Sequence, residues 1–188
     1  MIDAPLALYQ CTVPADWLDY NGHMSESCYL LAVGNAADAF FRYVGIDEAY
    51  RAAGRSLYTA ETHLHHLREA GLGDRLGVPL QLLDVGRKSL HLFHTVRDEL
   101  TGEQVATAEQ LLVHVDMPTG RVVPMPEDLH DRLSAICRAH AVLLRPAAVG
   151  HVMGIRRPAD GEPGVADSRP GVADSRPGRA RRGHGFRA

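Results

Sequence analysis

The sequence predicts an α+β domain in which a curved antiparallel sheet wraps one long central helix. Three observations carry this prediction. A single stretch of helix length, SESCYLLAVGNAADAFFRYV from Ser25 to Val44, is apolar on nearly every face. Four runs rich in leucine, valine, threonine and histidine follow it, separated by short turns that contain glycine. The length of 188 residues, 45% hydrophobic and 23% charged, suits one domain with a real core and a short extension.

Leu6 to Val13 reads as a first strand, closed by Pro14 and followed by the polar turn DWLDYNGHM. The long helix then has Ser25 as its N-cap, Glu26 in its first turn and Gly45 as its stop. At about 1.5 Å per residue it is roughly 28 Å long, and its composition demands that other structure surround it. Asn35, Asp38 and Arg42 recur at helical spacing and mark the one narrow stripe outside the core. Leu57 to Leu67, Arg75 to Val85, Ser89 to Glu99 and Glu103 to Val115 read as consecutive strands of an antiparallel meander, reversed at AGLGD, GRK and LTG. Pro126 to Leu144 reads as an amphipathic surface helix that closes the domain. Such a sheet leaves an edge strand, and pairing with a second copy of the chain is the natural remedy, so a homodimer, or a tetramer built from two, is expected.

Charge is uneven. Residues 156–188 carry eight arginines against four acids, a net +4, which leaves −7 for the preceding 155 residues of a chain whose total is −3. The heptad GVADSRP occurs twice in tandem, at 164–170 and 171–177, and little in that region could fill a core. The expected organisation is therefore a folded domain over 1–150 and a basic, disordered tail over 151–188. Two seven-residue copies are too few for a stacked-repeat fold, and an irregular arginine cluster on an acidic body is not a nucleic-acid groove. There is no apolar run of membrane-spanning length and no basic segment leading to a cleavage site, so neither a membrane nor a secretory route is indicated and a cytoplasmic setting is expected. Cys11, Cys28 and Cys137 form no C-x-x-C pair and read as small buried hydrophobes.

The turn Asp19-Tyr20-Asn21-Gly22-His23-Met24, leading straight into the apolar helix, resembles the D-x-x-G-H motif of hotdog-fold acyl-CoA thioesterases of the 4-hydroxybenzoyl-CoA thioesterase type. The segments LHHLREAGLGDRL, LLDVGRKSLHLFHTVRDELTGEQVATAEQ and VDMPTGRVVPMP follow in the family's order, so the likeness covers roughly residues 6–145. A finer resemblance is to betainyl-CoA thioesterases of carnitine catabolism, which carry a W-x-D-Y-N-G-H-M-S-E segment like Trp17 to Glu26. Many hotdog thioesterases have asparagine directly after the G-H-x triplet; Ser25 stands there in this chain. The resemblance implies a hotdog fold and hydrolysis of a small acyl-CoA thioester. It implies no cofactor, because coenzyme A is part of the substrate.

Thioester hydrolysis needs a group that attacks the carbonyl or aims water at it, and donors for the developing oxyanion. Asp19 can supply the first, in a turn where Gly22 lets backbone approach a ligand closely. The free amides of the first helical turn can supply the second, and the resemblance assigns the backbone amide of Glu26 as the oxyanion donor. Asp19 could act as nucleophile or as general base. The bland reading of Asp19 is a turn aspartate that satisfies local amides. His23 could share a proton with Asp19 or only shape the turn, and Glu61 on the next strand could face the pocket as a second carboxylate or pair with an arginine. For coenzyme A, the turn Gly86-Arg87-Lys88-Ser89 offers two cations and a hydroxyl, and Arg121 offers a second positive site. A trimethylammonium acyl group is best held by aromatic faces; Trp17, Tyr20 and Tyr29 are the candidates, each with core packing as the alternative.

His63, His65 and His66 invite a metal reading. On a strand His63 and His65 share a face and His66 points away, and no third ligand follows at suitable spacing, so no metal is expected and the histidines read as sheet surface or dimer contact. Two rival functions remain. A hotdog hydratase has a D-x-N-P-x-H segment that Asp19, Asn21 and His23 partly echo, but Gly22 replaces its proline and His23 comes one residue early. A non-catalytic acyl-CoA sensor would need a DNA-binding element, and no helix-turn-helix pattern precedes Leu6.

Overall fold

The computed structural model describes residues 2–155. Its elements are β1 (Gln10–Thr12), α1 (Glu26–Tyr43), α2 (Glu48–Ala52), β2 (Arg55–His66), β3 (Arg75–Gly77), β4 (Leu80–Val85), β5 (Ser89–Asp98), β6 (Gln104–Asp116), β7 (Arg121–Val122) and α3 (Glu127–His140). Residues up to His151 form one unit, and a second begins at Val152, of which 152–155 are described and exposed. The GVADSRP duplication and the arginine cluster lie outside the described residues. Among the described residues no helix is long and apolar enough to cross a membrane.

The α1 boundaries follow local chemistry. Ser25 is the N-cap. At the other end Gly45, with φ +88°, takes a left-handed conformation that lets its N–H reach Arg42 O and the Ile46 N–H reach Phe41 O, closing a Schellman turn. Tyr29, Ala32, Val33, Ala36, Ala37 and Phe40 form the buried face. The helix is less wrapped than its composition suggests: Leu30 and Leu31 are nearly half exposed and Gly34 is open. Asn35, expected on the solvent stripe, is partly buried and donates to the Tyr9 hydroxyl at 3.1 Å.

The sheet is antiparallel throughout, in the order β1-β3-β5-β6-β2, with β4 also on β5 and β7 on β6. The expected consecutive meander is therefore corrected: β2 pairs with β6, the last long strand, and its outer edge has no strand partner among the described residues. Glycine turns announce reversals but not partners. After β2 the Leu67 and Arg68 amides both bond Val105 O, and Ala70 O then takes the Met24 N–H, leading the chain past the start of α1 before β3 begins. The expected strand Arg75 to Val85 is two strands, interrupted at Val78-Pro79, where proline cannot donate to a ladder. The expected first strand shrinks to Gln10–Thr12 plus a bridge between Leu6 and Leu80.

One apolar cluster joins Phe40 and Val44 to Leu57, Leu82, Leu90, Leu112 and the buried face of α3, Leu129, Leu133 and Ile136. The other joins Tyr29, Ala32, Val33 and Ala36 to Leu76, Val96, Ala106 and Ala108. His140 fixes α3 to the sheet: its Nδ1 accepts the Leu82 N–H at 2.8 Å and its Nε2 contacts Asp3 O at 3.0 Å. Burial lowers its pKa, which favours the neutral ring this pairing needs. The three cysteines are free and partly buried.

Candidate active site

Asp19 sits at the head of a tight reversal. Its N–H bonds His23 O at 2.8 Å, Gly22 N–H returns to Asp19 O at 3.0 Å, and Gly22 adopts φ +80° to make the bend. One carboxylate oxygen, Oδ1, accepts from the Asn21 N–H at 2.8 Å and the His23 N–H at 3.3 Å. The second makes no hydrogen bond among the described residues. One oxygen thus satisfies local amides of the turn, which leaves the other in a fixed direction.

The reversal is locked to the helix start. Leu18 and Met24 form a bridge, the Ser25 N–H donates to Trp17 O at 2.8 Å, and the Met24 N–H donates to Ala70 O at 2.7 Å. Ser25 makes no side-chain capping bond, so the Glu26 and Ser27 amides open α1 without a capping side chain. The positive end of the helix dipole therefore lies next to the Asp19 turn. His23, partly buried, turns its Nε2 to Glu69 Oε2 at 3.3 Å. Glu69 was not singled out from the sequence, because nothing local distinguishes it in LREAG.

The three aromatic candidates separate. Trp17 is partly buried against the cluster around the N-terminal half of α1. Tyr29 is a core residue, 3% exposed; its hydroxyl accepts the Ala70 N–H at 3.0 Å and donates to Arg68 O at 3.3 Å, and burial raises its pKa. Tyr20 is 97% exposed and encloses nothing within the protomer. Of the two alternatives weighed for each, Tyr29 and Trp17 show core packing within the protomer, and Tyr20 does not.

Glu61 is also displaced from the Asp19 side. A bulge between Thr59 and Glu61 shifts the register of β2 on β6. Thr62, opposite Gln110, and Leu64, opposite Ala108, face inward, whereas Glu61, His63 and His65 face outward. Glu61 lines an outer cavity of about 360 Å³ with His63, His91, Glu109, Leu111, Gly150 and His151. There His91 Nε2 meets Glu109 Oε1 at 2.6 Å, and the Gly150 N–H donates to Glu109 Oε2 at 2.7 Å. Burial pushes the Glu109 carboxyl up, but the Gly150 amide and His91 outweigh it and hold it below the usual range. The expectation that His63 and His65 lack a third companion is also corrected: His151 joins them by tertiary contact. Burial, then the neighbouring His63 and His151, lower the pKa of His65.

The cationic candidates gather at the other end of the sheet. The Met125 N–H bonds Arg87 O and the His114 N–H bonds Lys88 O, so the turn before β5 abuts the segment after β7. Arg121 is exposed in β7, opposite Asp116. Arg87 is engaged in a two-pronged pair with Glu127, at 2.9 and 2.7 Å, which raises its pKa, whereas Lys88 is exposed. Ser89 opens β5. Within one protomer the neighbours of these turns, Leu90 and Met125, pack with Phe40 and Val44 of the C-terminal half of α1, whereas Leu18 and Met24 of the Asp19 bend pack with its N-terminal half.

A feature the sequence reading missed lies under the helix. His94 is fully buried on the inward face, neither of its ring nitrogens finds a hydrogen-bond partner among the described residues, and it lies next to Gln110, whose Nε2 donates to Thr62 Oγ1 at 3.2 Å. Burial lowers the His94 pKa to about 4.

A strongly curved antiparallel sheet on one long helix, with an aspartate-glycine bend at the helix start, defines a hotdog-type domain. The chain belongs to the Thioesterase-like superfamily, whose family model matches residues 13–133. It is 44% identical over 153 residues to an L-carnitine dehydrogenase/betainyl-CoA thioesterase of Rhizobium meliloti (strain 1021), covering 81% of this chain and 31% of that protein. The chain thus spans about a third of the length of that two-activity relative. It is 38% identical over 151 residues to a betainyl-CoA thioesterase of Pseudomonas aeruginosa, covering 80% of this chain and 95% of that one. Among solved structures, a Staphylococcus aureus protein characterised in complex with CoA superposes with a TM-score of 0.76 at 26% identity, over 82% of this chain and 98% of that one.

Proposed function

We propose that this chain is a hydrolase of small acyl-CoA thioesters, acting on betainyl-CoA to release betaine and coenzyme A. The observation that carries the proposal is the Asp19 bend: a carboxylate with one oxygen fixed by two backbone amides and one left open, joined to an uncapped helix start. In the proposed mechanism the open oxygen either attacks the thioester carbonyl, expelling the CoA thiolate and leaving a mixed anhydride that water then hydrolyses, or takes a proton from a water that attacks the carbonyl, the CoA thiolate departing as the tetrahedral adduct collapses. The backbone amide of Glu26, at the positive end of α1, takes up the charge that develops on the carbonyl oxygen. His23, held by Glu69, donates its own amide to Asp19 Oδ1 and so positions the carboxylate. The absence of the proline that the hydratase segment requires, and Gly22 at φ +80° in its place, disfavour the hydratase reading.

The working unit in this proposal is a homodimer in the cytoplasm, with tetramers as dimers of dimers. The free outer edge of β2 and the exposed Leu30, Leu31 and Tyr58 supply apolar and hydrogen-bonding surface for it. An antiparallel β2–β2 pair across a two-fold axis lays the Arg55 end of one strand beside the His66 end of the other. That arrangement would carry one protomer's Lys88, Ser89 and Arg121 toward its partner's Asp19, giving the coenzyme phosphates positive charge from across the dimer. Free-thiol release over a panel of acyl-CoAs tests the activity: hydrolysis with betainyl-CoA preferred supports it, and binding without thiol release overturns it.

A further inference from the structure

Three imidazoles converge on the outer face of the sheet. His63 and His65 stand side by side on β2 with ring centroids 4.5 Å apart. The His151 ring lies 4.6 Å from that of His65 and 5.9 Å from that of His63. One ring nitrogen from each lies within 4.8 Å of the others, and all three residues are partly buried. A tetrahedral zinc-type ion bound at about 2.0–2.1 Å needs its ligand nitrogens roughly 3.3 Å apart, so small side-chain rotations close the set.

The third histidine is delivered by a built turn. Val149 N–H bonds Pro146 O, His151 N–H bonds Ala148 O, and Gly150 takes φ +72°. Glu109, directly across from His63, anchors that turn by accepting the Gly150 N–H, and His91 on β5 holds the other Glu109 oxygen. Glu109 thus fixes the backbone that carries His151, the third imidazole of the set. We propose that His63, His65 and His151 form a three-histidine site for one divalent transition-metal ion of the zinc class, which clips residues 146–151 to the outer face of the sheet. Imidazole nitrogens suit zinc and its neighbours and discriminate against magnesium and calcium, which take oxygen ligands. His63 and His151 also line the cavity shared with Glu61 and His91, in which water would complete a four-coordinate ion. The site lies on the opposite face of β2 from α1, so it stands or falls independently of the proposed hydrolysis.

The test uses the full chain without an affinity tag, stripped with chelator and titrated with Zn²⁺ alone against a chromophoric zinc indicator. One equivalent of Zn²⁺ is expected per chain, with Mg²⁺ failing to compete. His65→Ala and His151→Ala should each weaken binding by at least about tenfold, whereas His130→Ala, in the separate group Glu127, His130 and Asp131, should not. His151 lies outside every helix and strand, so its variant remains decisive if His65→Ala does not fold. Substoichiometric binding by the parent chain, or parent-like affinity in His151→Ala, overturns the site.

Discussion

Replacing Asp19 with asparagine isolates its chemistry from its structural duty. Asparagine keeps a side-chain oxygen that can accept from the Asn21 and His23 amides, the contacts now at 2.8 and 3.3 Å. It has no carboxylate to attack the thioester or take a proton. Loss of a nucleophile or general base costs about 10²- to 10⁴-fold, equivalent to roughly 3–5 kcal/mol on the barrier. Asp19→Ala removes the acceptor as well. It should match the asparagine variant in activity and lose about 1 kcal/mol of stability besides, or about 2–4 °C in Tm for a domain of this size. The assays are thiol release with betainyl-CoA and thermal melting by circular dichroism. The reasoning is refuted if Asp19→Asn hydrolyses within threefold of the parent, and equally if both variants lose activity only in proportion to unfolding.

Four further outcomes are expected. Gly22→Ala meets no atom within 4 Å but must hold φ +80°, so it should cost about 1–2 kcal/mol of left-handed strain, read by denaturant melts, and misplace Asp19. Lys88→Ala and Arg121→Ala should each raise KM for acyl-CoA about tenfold, or roughly 1.4 kcal/mol, with kcat unchanged; a short thioester lacking the nucleotide should not register either change. Trp17→Ala should weaken betainyl-CoA more than acetyl-CoA, and choline should inhibit the parent; equal losses on both substrates would remove the aromatic cation contact. His94, held at about 4 by burial, takes no proton in the folded state between that value and its ordinary 6.5, whereas the unfolded chain does. Its contribution is therefore fully present above pH 6.5 and lost as pH falls toward 4, by about 3 kcal/mol; urea melts at pH 5 and 7 should show that slope in the parent and not in His94→Leu.

What was legible in the sequence was local. Ser25 and Gly45 bracket α1 because a helix start and a left-handed stop are decided by a few neighbouring residues. The Asp19 bend is legible for the same reason: its bonds run between Asp19, Asn21, Gly22 and His23. Pro79 carried a signal that could have divided Arg75 to Val85 into two strands. Pairing partners were not legible. β2 joins β6 rather than β3, and His151 reaches His65 through a turn anchored at Glu109, contacts that no window of sequence contains. The positive residues were recognisable by charge, but their distance from Asp19 within one protomer depends on which end of the sheet each turn occupies.

The strand β2 shows how one irregularity divides the chemistry of this domain. Leu57, opposite buried His114, points into the core. Under strict alternation Glu61, His63 and His65 would share its face, and a carboxylate and two imidazoles would enter the apolar layer beneath α1 at a large desolvation cost. The bulge between Thr59 and Glu61 reverses that parity, so that Thr62 and Leu64 turn inward, while His66, exposed at the strand end, lies edge-on to Tyr29 at 5.0 Å. The bulge therefore keeps Glu61, His63 and His65 off the helix-facing side and puts them outside with Glu109. Deleting Ala60 would remove the bulge and make the Thr59–Leu112 and Glu61–Leu111 pairs consecutive rungs, so Leu57 and His63 would keep their present faces and the β2–β6 pairing should persist as a regular ladder; loss of that pairing in the deletion variant would refute the parity argument.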